Sequence, residues 1–281
     1  MKYLALFLFV LCANHVNAQH LKLKARKSNA LTGSEFGQSI ADSNLTLQQR
    51  EILIFKEIKS GNVPDFLRTL KEISDTLSAT SPQPTILKYH VLPDYLAIGS
   101  NEDYLYIPMT PILAQRVADL LKCSLPTKKM VDQIYKNATI KLAPQPIPPT
   151  KAMTTVPVFL AHNELVRLQL NSYAIAHNKS ELTAGHQKDV IISNKIYGET
   201  TPRVVIYGWH QLNGKAIQPV YNKHTNTWAD YSHGIRLIQN KVWINGKKTT
   251  IKKILADPYL NQFLSDEGVI EKAYYPVFET Y

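Results

Sequence analysis

Cysteine is nearly absent. Cys12 and Cys123 are the two in 281 residues, and Cys12 lies in an apolar N-terminal run that export would remove. An exported chain would then keep Cys123 alone, which excludes an intramolecular disulfide and leaves the fold to packing. A lone cysteine of this kind reads first as a small buried hydrophobe. Acidic residues are also few: 22 Asp and Glu against 32 Lys and Arg give a formal charge of +10. That balance favours anionic surroundings. The positive charge is densest in HLKLKARK (20–27) and NGKKTTIKK (245–253). The basic and aromatic interleaving of a nucleic-acid module is missing, so no nucleic-acid partner is expected. No stretch approaches the roughly 20 apolar residues of a bilayer span, so permanent membrane insertion is not expected either. Internal repeats, low-complexity tracts and the compact helical spacings of metal ligands are absent as well.

Residues 1–18 have the form of a signal peptide. Lys2 precedes an apolar run from Tyr3 to Cys12, and Val16-Asn17-Ala18 supplies a cleavage pattern after Ala18. The expectation is a secreted or periplasmic protein. Residues 19–44 read as a flexible arm, 45–142 as a helical and meander region, 143–150 (APQPIPPT) as a Pro-rich linker, and 151–281 as a β-rich catalytic region.

Thr46 and Gln49 form a capping-box pattern for a helix ending at Ser60-Gly61. A second helix is expected near 63–65, carrying Phe66, Leu67 and Leu70 inward. ILKYHVL (86–92), YLAIG (95–99) and YLYIPM (104–109) read as a small antiparallel meander. A helix pair follows, with Cys123 at its joint. Beyond the linker come a helix over 157–170 and strands at 189–193, 203–209, 234–238 and 241–244. Asn245-Gly246 supplies a hairpin turn, and a last helix carries Ile251, Ile254 and Leu255. The fold class is α+β, with helices towards the N-terminus and a mostly antiparallel sheet carrying the site.

Three segments place catalytic residue types at strand ends, where a sheet fixes the backbone and leaves side chains reachable. AGHQKDV (184–190) holds His186, Lys188 and Asp189. YGWHQ (207–211) holds Tyr207, Trp209 and His210. DYSHGIR (230–236) holds Asp230, Tyr231, Ser232, His233 and Arg236. Three of nine histidines thus sit at strand ends within about fifty residues that one sheet could gather.

His186 and His210 are candidates for general acid and base, and Asp230 or Asp189 for orienting a ring; His233 completes the site. Ser232 is a candidate hydroxyl, but it alternates with His233 on a strand, so activation would come from His186 or His210. Lys188 or Arg236 would meet negative charge. Tyr207, Trp209 and Tyr231 would line the substrate, the first two as a stacking face for a sugar ring. No cofactor is required. The alternative is zinc held by His186, His210 and His233 with Asp189, leaving a position open for water.

YSHGIRL resembles the S-H-G-C-x-R signature of L,D-transpeptidases, exported enzymes that remodel peptidoglycan. Ser232, His233, Gly234 and Arg236 match, and His210 stands roughly where that family has an upstream histidine. The resemblance breaks at the nucleophile, because Ile235 follows Gly234 where the family has cysteine. Cysteine-based acyl transfer therefore does not carry over. PDYLAIGS, LPTKKMVDQIY, GHQKDVIISN and IYGWHQLNGKAIQP resemble segments of a family of exported bacterial proteins, which implies one unit and implies no reaction. CSLPTKKMV with SHGIRL fits the outline of a papain-like Cys–His pair.

These readings converge on an exported hydrolase or transferase acting on a cell-wall or extracellular polysaccharide by histidine acid–base chemistry. The alternatives are a metal-dependent hydrolase using the same histidines and a non-catalytic glycan- or wall-binding protein. The partner expected is a polymer, anionic in the reading that uses Lys188 or Arg236.

Overall fold

The computed structural model describes residues 19–77, 84–173, 178 and 180–279. The signal-peptide reading of residues 1–18 lies outside them. The described residues form an α+β fold of six helices and thirteen strands.

The first helix is α1 (Gly33–Ser39), inside the segment read as a flexible arm. It begins with a complete capping box: Thr32 accepts from the Glu35 backbone, and Glu35 accepts from Thr32 N at 2.8 Å. Phe36, Ile40 and Leu21 are buried in the core, so this stretch is docked. Helix α2 (Leu47–Ser60) has the expected Thr46–Gln49 box and stops at Gly61, φ 93°. The helix expected after it is a single 3-10 turn, Asp65–Leu67. The chain then enters β1 (Lys71–Leu77) and β2 (Thr85–Val91), which pair antiparallel. Next come β3 (Ala97–Gly99) and β4 (Tyr104–Tyr106), a separate hairpin. The stretch read as one meander is therefore divided, with β2 in a different sheet.

Helix α3 (Pro111–Leu120), β5 (Cys123–Ser124) and α4 (Lys128–Asn137) form the expected helix pair, with the cysteine strand between the helices. After β6 (Ile140–Lys141) the Pro-rich stretch is irregular and leads to α5 (Val156–Tyr173). The remainder is β7 (Thr183–Ala184), β8 (Lys188–Val190), β9 (Ile206–His210), β10 (Ala216–Tyr221), β11 (His233–Gly234), β12 (Ile238–Ile244), β13 (Lys247–Thr250) and α6 (Ile251–Ala256). Asn245 and Gly246 take φ 46° and 78°, the positive pair a tight two-residue hairpin demands.

Two sheets position the site. One runs β1-β2-β12-β13, with β5 also on β12; the other runs β10-β9-β8-β11. Backbone bonds from Leu92 N to Leu237 O and Leu96 N to Ile235 O join them where the chain passes from β11 to β12. One hydrophobic core extends from Leu21 to Tyr275 and takes buried residues from both sides of 143–150.

Gly234 permits a close approach within this junction. A Cβ there would lie 2.6 Å from Tyr95 Cδ1 and from the Gln187 Cβ. Gly234→Ala is therefore expected to displace the Tyr95 ring and cost about 1–3 kcal/mol, as overpacking does. A urea denaturation midpoint equal to wild type would contradict the contact.

Candidate functional site

The three sequence segments meet in one sheet. Lys188 on β8 stands opposite His233 on β11, in parallel register, and opposite Gly208 on β9. Asp189 stands beside Gly234 and Tyr207. The backbone thus gathers the strands as the segment spacing implies, but it does not bring the imidazoles into one open hollow. Each of the three rings is buried with its own aspartate.

His186 is fully buried, with Nε2 3.4 Å from Asp94 Oδ1 and its ring against those of Tyr95 and Tyr106. Burial, then the Arg236 charge, holds it well below the usual imidazole range. Asp94 accepts from Tyr106 Oη at 2.5 Å, and Asp189 accepts from Tyr95 Oη at 2.7 Å. Burial pushes both carboxyls up to about 6, against the pull of Arg236. Arg236 is also fully buried. It donates to Leu92 O and Thr183 O at 3.2 and 2.8 Å and lies 4.0 Å from the Tyr95 ring centre. It is a core cation, so the expectation that Arg236 meets substrate charge is corrected.

His210 belongs to a second group. Its Nε2 is 3.2 Å from Asp132 Oδ1, and its ring stacks on Tyr135 at 4.4 Å. Asp132 also accepts from Tyr207 Oη at 2.7 Å and Lys128 Nζ at 2.8 Å. Burial would raise the Asp132 carboxyl, but these hydrogen bonds prevail and lower it. Tyr207 is mostly buried and spends its hydroxyl here, which removes it from a sugar-stacking role beside Trp209.

The third group surrounds Asp230. Its carboxylate accepts from Ser232 N at 2.9 Å, Ser232 Oγ at 2.6 Å and Trp228 Nε1 at 3.3 Å. His233 Nε2 is 3.7 Å away. Burial would raise Asp230, but His233, Lys188 and the Ser232 bonds outweigh it and hold the carboxyl down to about 2. His233 is pushed down to about 4 by burial, with Asp230 opposing. His162, from α5, is likewise pushed down to about 4, and its ring packs on Tyr231 at 4.8 Å. The Tyr231 hydroxyl is engaged with the Ile147 backbone at 2.8 and 3.1 Å.

Lys188 is the partly exposed member of this group. Its ammonium sits 4.7 Å from the Trp209 ring centre, and burial lowers its pKa while Asp230 opposes. Trp209 takes φ 57°, which is uncommon for a bulky residue and costs about 1–2 kcal/mol. Gly208 beside it takes φ 110°. These positive φ values set the indole beside the Lys188 ammonium, with Nε1 donating to His186 O at 3.1 Å. His224 and Trp228, both partly exposed, stack at 4.7 Å and 9°.

The sequence reading missed Asp94, Asp132, His162, His224 and Trp228. Asp94 reads as a turn residue after Pro93, and Asp132 as an exposed position of an amphipathic helix. His162 and His224 lie outside the three segments. Among the described residues, no group of three or more His, Cys, Asp or Glu side chains is spaced to hold a metal ion. Cys123 is buried on β5, its Sγ is 3.5 Å from Leu121 O, and burial pushes its thiol up to about 12. At neutral pH it is a thiol, not the thiolate that the papain-like outline requires.

These buried groups make stability depend on pH. His162, His186 and His233 have lowered pKa values, so their contribution is present above pH 6.5 and is lost as pH falls, for His162 and His233 towards about 4. Asp94 and Asp189 act oppositely, stabilising below 3.8 and losing that as pH rises through about 6. Three imidazoles outweigh two carboxyls between those limits. The protein is therefore expected to lose stability from pH 6.5 downward, by about 1.4 kcal/mol per pH unit for each net proton. Chemical denaturation across that range measures it, and a flat profile would contradict the burial of neutral imidazoles.

The chain matches no family model, no curated protein and no solved structure. Among the described residues no helix is long and apolar enough to cross a membrane.

Proposed function

We propose that the protein is a hydrolase acting on a cell-envelope or extracellular polysaccharide, with proton transfer centred on Lys188, Asp230 and His233. One observation carries the reading. A partly exposed lysine with a lowered pKa stands in register with a neutral imidazole, and three residues before that imidazole an aspartate is held anionic against burial. Titratable neighbours whose environments drive their pKa values apart are the usual arrangement of acid–base sites. In this reading the Lys188 amine, whose charged form burial disfavours, takes a proton from water once it is deprotonated, water oxygen attacks the electrophilic carbon of the scissile bond, and the resulting ammonium returns the proton to the leaving oxygen. Asp230 and His233 set the charge around that amine from behind. The stacked His224 and Trp228 rings offer a face for a sugar.

A second reading, recognition without turnover, is favoured by the complete burial of Ser232, His186 and His233. These leave Lys188, His224 and Trp228 as the groups that a ligand meets first.

The test is release of reducing ends or soluble fragments from peptidoglycan and acidic polysaccharides by the purified protein, with and without a chelator. Turnover that survives chelation and is lost in His233→Asn supports the proposal. Turnover abolished by the chelator moves the assignment to a metal-dependent hydrolase. Binding without turnover on every fraction moves it to recognition.

A further inference from the structure

The outward face of the other sheet carries a second feature. Register and burial assign that face. Tyr89, Leu87 and Val242 point inward, while Ile86, Lys88 and His90 on β2 and Lys241 and Trp243 on β12 point the other way. Lys248 and Thr250 on β13 share that side, as do Glu72, Ser74 and Thr76 on β1.

Trp243 lies directly opposite Lys88 on one neighbouring strand and Lys248 on the other. It is partly exposed, and the His90 ring meets it edge-on at 5.3 Å. Lys88, Lys241 and Lys248 are exposed, and among the described residues of these strands the acid on this face is Glu72, which pairs with Lys88 at 2.8 Å. Lysines on β13 could serve only to blunt an edge strand. That explanation fails for Lys88, Lys241 and Trp243, because β2 and β12 are interior strands of the sheet. An interior strand has no open edge to protect.

We propose that this face is a binding surface for an anionic polysaccharide, separate from the Lys188 site. Lys88 and Lys248 are two strand spacings apart, about 10 Å. That separation suits a chain with charges at repeated positions better than a single small anion. Trp243 between them supplies an aromatic plane for a sugar ring. The net charge of +10 adds a long-range attraction of the same sign.

The test measures binding of the purified protein to polygalacturonate and to heparin, with neutral dextran and single-stranded DNA alongside. Circular dichroism and thermal melting show whether each variant is folded. The surface predicts binding to both acidic polysaccharides and none to dextran. Trp243→Ala should weaken binding about tenfold, and Trp243→Phe should largely preserve it. The Lys88→Gln and Lys248→Gln double variant should reduce the log–log salt slope by about one unit per lysine. Failure of the wild type to bind would overturn the proposal, as would unchanged binding by a variant carrying Trp243→Ala, Lys88→Gln and Lys248→Gln together. Loss on lysine removal with no effect of Trp243→Ala would reduce the face to a diffuse basic patch and overturn it also. DNA binding as tight as polygalacturonate binding would reject the polysaccharide assignment.

Discussion

Lys188→Met is expected to lower turnover on wall or acidic-polysaccharide fractions by about 10²–10⁴-fold, the usual contribution of a positioned acid or base. The melting temperature should stay close to that of wild type. Methionine keeps an apolar stem on the Trp209 ring and removes the nitrogen that carries the proton, and burial already penalises that charge. The loss should fall on kcat. Lys188→Arg separates the two roles open to a cation here. Arginine keeps the charge but holds its proton throughout the working range, so it should not restore turnover. Full activity in Lys188→Arg would make Lys188 an anion contact and not a proton carrier.

Arg236→Met is expected to destabilise the protein by about 3–5 kcal/mol near neutral pH, the cost of removing one partner from a buried charge group. Asp94 and Asp189, both buried, feel the Arg236 cation, which lowers their pKa values against burial. The pH dependence of the loss identifies its cause. Both carboxyls have raised pKa values, so the folded state protonates them first, and without Arg236 they ionise with still more difficulty. The difference between variant and wild type should be largest above about pH 6 and shrink towards about pH 4, where both carboxyls are neutral. Urea midpoints at the two ends of that range measure it. An equal loss at both ends would assign the damage to packing around Tyr95 and not to charge.

What the sequence revealed was mostly local. The Thr46–Gln49 box, the Gly61 stop and the Asn245-Gly246 turn are decided within a few residues of themselves, and the structure has all three. Helix α1 carried the same kind of signal, Thr32 with Glu35. It is short and lies in a polar stretch, which hid its docking. Strand β1 follows a helical segment, and its alternation of exposed Glu72 and Ser74 with buried Ile73 was legible but outweighed by that context. The gathering of β9, β8 and β11 was readable from three polar-ended strands. The aspartate partners were not, because His186 meets Asp94 and His210 meets Asp132 across many tens of residues. Nor could the pattern show that each ring would be sealed. Burial of an imidazole depends on what packs over it, here Tyr95 and Tyr106 on His186 and Tyr135 on His210.

In the proposed reaction Lys188 is a tuned proton carrier that feels the charge of Asp230. The most direct measurement is a ¹³C NMR titration of reductively methylated Lys188, assigned through Lys188→Met, in wild type and Asp230→Asn. The account predicts a midpoint below that of ordinary lysines in the wild type and a further fall in Asp230→Asn, because the carboxylate opposes the effect of burial. A midpoint in the ordinary lysine range that Asp230→Asn leaves unmoved would contradict it.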